Sequence, residues 1–224
     1  MALTLHFHPL SSYCWKVLIA LYETGASFEG RVVNLGDPGV RAAFVALWPT
    51  GKMPLLVDDG RVVPESSIII EYLDRTDPGG LLPTDPEARL EARLWDRLFD
   101  TYVMGPMQAL VSDHLRPEGS NDPLAVKAAR STLAMAYDMI ESNLDGRAWA
   151  AGETFSLADC AAAPSLFYAT TLVPFGSGHG RLAAYFERLI RRPSVARTIE
   201  EAKPYFQFYP LYDAIPPRFL AAAA

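Results

Sequence analysis

The sequence predicts a small α/β domain followed by a larger all-helical domain. Strand and helix patterns alternate over the first third of the 224-residue chain, as an α/β domain requires. Residues 75–86 then hold three prolines and two glycines, a composition that interrupts helices and strands alike. Beyond this segment the periodic patterns are helical. We therefore expect an α/β domain over residues 1–80 and an all-helical domain over residues 87–224.

The first domain is predicted to run strand, helix, strand, helix, two strands and a final helix. Apolar residues alternate over residues 3–7, which predicts a strand, and helical spacing follows over 12–23 until Gly25 ends the helix. The later elements are a strand, a short helix, a hairpin and a closing helix, over residues 28–33, 40–47, 55–57 with 61–63, and 65–74. This order is typical of a thioredoxin-like domain.

The second domain is predicted to consist of helices alone. Apolar residues at helical spacing predict long helices over 87–115 and 123–144. Ser156 with Asp159 three positions later predicts a buried helix that starts at Ser156. Two shorter helices follow over 181–190 and 194–202, and the prolines after them predict no further regular structure. The four alanines of residues 221–224 are expected to fray.

Composition and charge restrict the partners. A net charge of -6 and a pI near 5.2 oppose binding to nucleic acid or an anionic membrane, since both require a cationic face. No apolar run is long enough to span a bilayer. Two distant cysteines form neither a disulfide framework nor a zinc pattern, and the four histidines share no ligand spacing, so we expect no metal and a cytoplasmic location.

Ser11 stands where the first strand ends and the first helix begins. A helix N-terminus offers free backbone N–H groups and a positive dipole to an anion, and a serine hydroxyl there can donate a further hydrogen bond. The alternative is that Ser11 or Ser12 only caps the helix.

A second motif lies in the loop over residues 48–56, which enters a strand through Lys52 and Met53-Pro54. If the Met53-Pro54 bond is cis, the backbone N–H and C=O of Met53 can pair with a peptide-like ligand. The alternative is a trans proline at a strand start.

A third motif opens the last helix of the first domain. Glu65 and Ser66 could hold an amine and a carboxylate there. The alternative is helix capping, in which a glutamate in the first turn is expected anyway.

The three motifs, their order and the helical second half resemble the cytosolic glutathione transferase superfamily over essentially the whole chain. Residues 11–17 look like the serine-type active-site segment of the zeta and delta classes and of many bacterial members, with Tyr13 where the zeta pattern has cysteine. The resemblance implies that glutathione is the cosubstrate and that Ser11 stabilises its thiolate. It also implies that Lys52 meets the glycine end of glutathione and that Met53 pairs with its cysteinyl backbone.

The rest of the site is also implied by the resemblance. Glu65 and Ser66 would hold the γ-glutamyl end of glutathione. Tyr13, Tyr102 and Met107 would line a pocket for a small apolar electrophile. A homodimer and a role in detoxification are further implications. The alternatives are a non-catalytic binding module of the same fold, or a glutathione-dependent isomerase, peroxidase or thiol oxidoreductase.

Serine at position 11 is sufficient for thiol activation in energetic terms. The pKa of a free thiol is about 8.5 and must fall by about two for the thiolate to be the main form at neutral pH. This fall requires roughly 2.7 kcal/mol. A hydrogen bond to a charged acceptor contributes about 1.5–3 kcal/mol and a helix N-terminus about 0.3–1 kcal/mol. Disulfide exchange, by contrast, would require a cysteine in place of Ser11. Cys14 is expected to be a small buried residue.

Overall fold

The computed structural model describes residues 3–75 and 80–220. Within these ranges a four-stranded sheet with three helices is followed by an all-helical region, which confirms the predicted fold class. Residues 76–79 of the predicted linker and the alanines of 221–224, predicted to fray, lie outside the described residues. The domain limits of 1–80 and 87–224 stay a prediction.

The sheet has the strand order β2-β1-β3-β4. β1 pairs in parallel with β2 and antiparallel with β3, and β3 pairs antiparallel with β4. The parallel pair is possible because a helix crosses between its strands, whereas β3 and β4 are joined by a tight turn. The strands are β1 Leu3–Phe7, β2 Phe28–Val32, β3 Leu55–Asp58 and β4 Arg61–Pro64.

Three helices accompany the sheet: α1 Ser12–Thr24, α2 Pro38–Leu47 and α3 Ser66–Asp74. α1 is buried along most of its length because it packs against α3 and also against two helices of the second region. It ends at Gly25, whose φ of 64° is the left-handed conformation that glycine adopts without a steric cost. The central position of α1 fixes its N-terminus relative to both regions.

The second region contains six α-helices among the described residues. They are α4 Pro86–Leu98, α5 Gly105–His114, α6 Pro123–Asn143, α7 Leu157–Leu172, α8 Gly180–Arg191 and α9 Pro193–Ala202. Within the described ranges, no helix combines the length and hydropathy that crossing a bilayer requires.

The predicted single helix over 87–115 is wrong in one respect, because a π-helical segment, Phe99–Met104, separates α4 from α5. Pro106 supplies the physical reason. Its nitrogen carries no hydrogen for the carbonyl of Tyr102, and its ring crowds that carbonyl. The N–H of Gly105 instead donates to the carbonyl of Asp100, five residues earlier, as in a π-helix.

α7 is the buried centre of the helical region, as its run of small residues predicts. It begins at Leu157 with Ser156 as its N-cap, and Asp159 accepts hydrogen bonds from the backbone and hydroxyl of Ser156. Asp159 also accepts from the Ala150 N–H and from the Tyr185 hydroxyl, at 3.0 and 2.6 Å. These contacts satisfy a carboxylate with no exposed surface.

The segment after α9 corrects a second expectation. Its prolines do not exclude regular structure, because three short 3-10 helices cover Lys203–Phe208, Tyr212–Ala214 and Pro217–Phe219. Proline is compatible with the first turn of a helix, where its missing N–H would have no partner. Phe206 and Phe219 are buried against Phe167 of α7.

A buried ion cluster joins the two regions. The ammonium of Lys16 on α1 lies 2.5 Å from Asp96 Oδ1 and 2.8 Å from Asp100 Oδ2. Lys16 also donates to Ser67 Oγ at 2.8 Å, and Ser67 donates to Asp96 Oδ2 at 2.7 Å. Lys16 has no exposed surface. This lysine therefore connects α1 with α3, α4 and the π-helical segment.

Replacing Lys16 by methionine should destabilise the protein by about 3–5 kcal/mol, because two buried carboxylates lose their counter-ion. Lys127→Met, on the exposed side of α6, removes the same type of side chain and should cost no more than about 0.5 kcal/mol. Urea denaturation measures both differences. Equal midpoints for Lys16→Met and the wild type would show that the cluster does not stabilise the fold.

Candidate functional site

A cavity of about 910 Å³ lies between the sheet domain and the π-helical segment. It is bordered by the N-terminus of α1, the loop before β3, the start of α3 and the end of α4. The cavity brings together the side chains that the sequence predicted to contact glutathione, which are Ser11, Lys52, Met53, Glu65 and Ser66. Segments far apart in sequence therefore meet at one site.

Ser11 is the N-cap of α1 and lies in the cavity wall. Its Oγ accepts a hydrogen bond from the Cys14 N–H at 3.4 Å. Capping and ligand binding are compatible here, because a hydroxyl that accepts one hydrogen bond keeps its own hydrogen for donation. Ser11 can therefore donate to an anion at the positive end of α1.

The Met53-Pro54 peptide bond is cis, which is the conformation that the second motif required. Pro54 is buried at the start of β3, while Met53 and the exposed Lys52 line the cavity. The same loop contributes Trp48. Its Nε1 atom is buried and has no hydrogen-bond partner among the described residues. Trp48 thus lines the cavity as a residue that the sequence pattern did not indicate, and it packs against the cluster of Val33, Phe44 and Leu55.

Glu65 has a left-handed backbone, with a φ of 68°. Such a conformation costs a non-glycine residue roughly 1–3 kcal/mol and is often found where side chains hold a ligand. The side chain of Glu65 makes no capping hydrogen bond. Helix capping, the alternative role proposed for it, is thus not realised. Ser66 follows as the first residue of α3 and is almost fully buried at the cavity wall.

Family comparisons agree with this arrangement. Models of the glutathione S-transferase N-terminal and C-terminal domains match residues 5–80 and 98–193. The chain is 35% identical to FtsZ-localized protein A of Caulobacter vibrioides, over 73% of this chain and 75% of that protein. It is 30% identical to a glutathione S-transferase of Pseudomonas putida, over 70% of each chain. The chain belongs to the glutathione S-transferase family.

A solved structure of this family matches the whole fold. The glutathione S-transferase of Methylobacillus flagellatus, determined with glutathione bound, superposes with a TM-score of 0.82 and 28% identity. The match covers 88% of this chain and 98% of that one. The sheet region and the helical region of this family member thus share the arrangement seen in that structure.

The helical wall of the cavity differs from the one expected for this glutathione S-transferase family member. Tyr13 lines the cavity, but Tyr102 and Met107 do not. Met107 is 3% exposed and packs in the core, whereas Tyr102 is 38% exposed. The expectation for Tyr102 and Met107 rested on the family resemblance and not on helical spacing. The π-helical segment lies between Arg97 and Gln108 and changes which residues before and after it share a face. The residues that form the helical wall are Arg97, Asp100, Thr101 and Gln108.

Burial and nearby charges determine the protonation of the titratable side chains that line the cavity. Burial, with smaller contributions from Asp100 and Glu65, raises the pKa of Tyr13 to about 12, so its hydroxyl stays protonated at neutral pH. Burial raises the pKa of Asp100 and lowers that of His8. Across residues 3–75 and 80–220, no group of three or more His, Cys, Asp or Glu side chains is arranged to hold a metal ion.

Cys14 is fully buried behind Ser11, as its expected structural role requires. Burial raises the pKa of the Cys14 thiol to about 12 and that of Cys160 well above its usual value. Since the thiolate is the reactive form, neither cysteine can act as a nucleophile near neutral pH.

Both cysteines should therefore resist a thiol reagent in the native protein. We expect no fast-reacting thiol with Ellman's reagent at pH 8 and two in denaturant, since the chain has two cysteines. The colour change at 412 nm measures this in one titration. A fast-reacting Cys14 in the folded protein would contradict its assignment as a structural residue.

Proposed function

We propose that this chain is a serine-type glutathione transferase that binds glutathione in the cavity, lowers the pKa of its thiol at Ser11 and adds the thiolate to an electrophile. The observation that carries the proposal is the convergence of Ser11, Met53 and Ser66 on one cavity. The resemblance of residues 11–17 to zeta-type, delta-type and bacterial segments supports the serine-type assignment. We expect the protein to work in the cytoplasm.

Each part of glutathione has a chemically matched contact in this proposal. Ser11 and the positive end of α1 stabilise the thiolate. The Met53 backbone pairs with the cysteinyl unit, and the Lys52 ammonium meets the glycine carboxylate. Glu65 accepts from the γ-glutamyl ammonium, and Ser66 donates to the neighbouring carboxylate. The left-handed backbone of Glu65 supports this role, since strain of this kind is retained at ligand sites.

The alternatives use the same fold differently. A thiol oxidoreductase is disfavoured because position 11 is serine and Cys14 is buried with a raised pKa. An isomerase or peroxidase would employ the same glutathione thiolate, so it differs in the second substrate rather than in Ser11. A non-catalytic binding module would need Ser11 only as the N-cap of α1. The position of Ser11 in the cavity wall, with its own hydrogen available for donation, favours the enzyme.

Ser11→Ala should leave glutathione bound but raise the pKa of its thiol, because the hydroxyl donor is lost while the backbone amides remain. A rise of about one to two pKa values corresponds to the loss of one charge-assisted hydrogen bond. Ultraviolet titration of the bound thiolate measures the pKa, and calorimetry measures the affinity. Ser66→Ala should do the reverse, weakening binding with little effect on the thiol.

Ser12→Ala is the matched control, since Ser12 is adjacent but does not line the cavity. It should leave the thiol pKa close to the wild-type value. If millimolar glutathione neither binds nor raises the melting temperature, the proposed function is wrong. If Ser11→Ala leaves the thiol pKa unchanged, glutathione binding stands but Ser11 has no catalytic role.

We also propose that the protein is a homodimer. Leu90 and Leu94 lie one turn apart on α4 and are 61% and 48% exposed, and Ile68 of α3 is 53% exposed. Arg97, three residues after Leu94 on the same helix, lines the cavity. An apolar stripe beside a site is more stable when covered, and a second copy can cover it with the same surface by two-fold symmetry.

Light scattering at micromolar concentration should give twice the 24.6 kDa mass of one chain. Leu94→Lys should shift the mass toward one chain, because it introduces two like charges across the symmetry axis. Leu124→Lys is the control, since Leu124 is 80% exposed but lies at the start of α6. A single-chain mass for the wild type would contradict the dimer.

A further inference from the structure

A second groove lies on the helical region, outside the cavity. It has a volume of about 460 Å³ and is formed by the last turns of α8, the start of α9 and the loop that precedes α7. The apolar part of its lining consists of Trp149, Ala184 and Pro193. None of the residues that line the groove also lines the cavity around Ser11. The groove is therefore a separate feature, with room for a ligand of its own.

Arginine dominates the charged part of this lining. Arg188, Arg191 and Arg192 line the groove, and Glu187 is the one carboxylate among the described residues that line it. The three arginines are three and four positions apart, which places them on one side of the end of α8. Because the whole chain has a net charge of -6, the groove concentrates positive charge on an otherwise acidic protein.

The carboxylate of the groove is already paired with an arginine from outside it. Glu187 accepts a hydrogen bond from Arg218 at 2.7 Å through Oε1. The other oxygen of Glu187 lies 3.8 Å from the Arg191 guanidinium, which is longer than a hydrogen bond. The Arg191 side chain is 80% exposed, and its N–H groups have no hydrogen-bond partner in the part of the chain that the structure describes. Arg191 is therefore free to bind an anion.

The other two arginines are held in place by the protein. Arg192 forms a bidentate ion pair with Glu23, at 2.7 and 2.6 Å. Arg188 donates to the Ala148 carbonyl. The guanidinium carbons of Arg192 and Arg188 lie 5.2 and 5.7 Å from the centre of the Trp149 ring. Contact with an aromatic face orients a guanidinium before it binds a carboxylate. The dipole at the end of α8 favours cations at these positions, but it does not require an aromatic ring against them.

We propose that this groove binds an acidic peptide segment of a partner protein, whose carboxylates meet Arg188 and Arg191 while an apolar side chain between them packs on Trp149. Guanidinium groups bind carboxylates through paired hydrogen bonds, and arginine clusters recognise acidic motifs in this way. A small anion would meet only exposed charges, and an exposed ion pair contributes about 0–1 kcal/mol. A peptide adds further ion pairs and apolar contact, so it fits the groove better. The groove shares no residue with the proposed glutathione site, so its role is independent of the transferase function.

A fluorescein-labelled peptide of alternating Glu and Asp with one central Phe tests the groove, and its Gln and Asn counterpart is the neutral reference. Fluorescence polarisation at low ionic strength should show saturable binding of the acidic peptide to the full chain and no binding of the neutral one. Arg191→Glu should weaken binding by about tenfold, because it reverses the charge of a solvent-exposed side chain that meets the peptide. Ala184→Glu should also weaken it, since it places a carboxylate in the groove. Arg41→Glu, at an exposed position of α2, changes the net charge as much as Arg191→Glu does and should leave the affinity within about twofold of the wild type.

Loss of peptide binding in Arg191→Glu and Ala184→Glu, with melting temperatures equal to that of the wild type, supports the groove as the peptide site. Wild-type affinity in both variants overturns it, and so does an equal loss in Arg41→Glu, which would reflect net charge alone. Failure of the acidic peptide to bind the wild type, or equal binding of the neutral peptide, also overturns it. Inorganic phosphate is the last comparison. If phosphate displaces the labelled peptide at the same concentration as unlabelled peptide does, the groove binds a small anion and the peptide proposal is wrong.

Discussion

The buried ammonium of Lys16 is the contact on which the geometry of the site depends. It neutralises Asp96 and Asp100 on the helical side and binds Ser67 on the sheet side. Ser67 is the neighbour of Ser66, and Asp100 lies in the cavity wall. A buried lysine is stable only with such partners, because its desolvation is costly. Because Lys16 needs partners from both regions, its contacts hold the sheet wall and the helical wall of the cavity at a fixed separation.

α1 transmits this constraint to the reactive end of the site. Trp15 next to Lys16 donates to the Pro9 carbonyl at 2.5 Å, which anchors the loop that leads into Ser11. The other side of α1 packs against α7 and α9. One helix thus carries the hydroxyl donor at its N-terminus, the tyrosine in its first turn and the interdomain lysine in its second. A shift of α1 would move all three groups together.

Local sequence patterns predicted most of the fold because the interactions that produce strands, helices and caps act between residues close together in the chain. Alternation, helical spacing and caps depend on residues within a few positions of one another, so the sheet domain and helices such as α6 match within a few residues. The π-helical segment was missed, although Pro106 was visible in the sequence. A proline near a helix start is also compatible with the first turn of an ordinary new α-helix. Only the observed hydrogen bond from the Gly105 N–H to the Asp100 carbonyl distinguishes a π-helical segment from such a turn.

The sequence by itself determined the order of elements, the three motifs at Ser11, Met53-Pro54 and Glu65-Ser66, and the absence of a cysteine at position 11. These depend on residue type and on neighbours along the chain. Only the tertiary structure decided that the second wall of the cavity is polar. That wall depends on how α4, the π-helical segment and α5 turn against α1, and this rotation is set by packing and by the Lys16 cluster rather than by any local pattern.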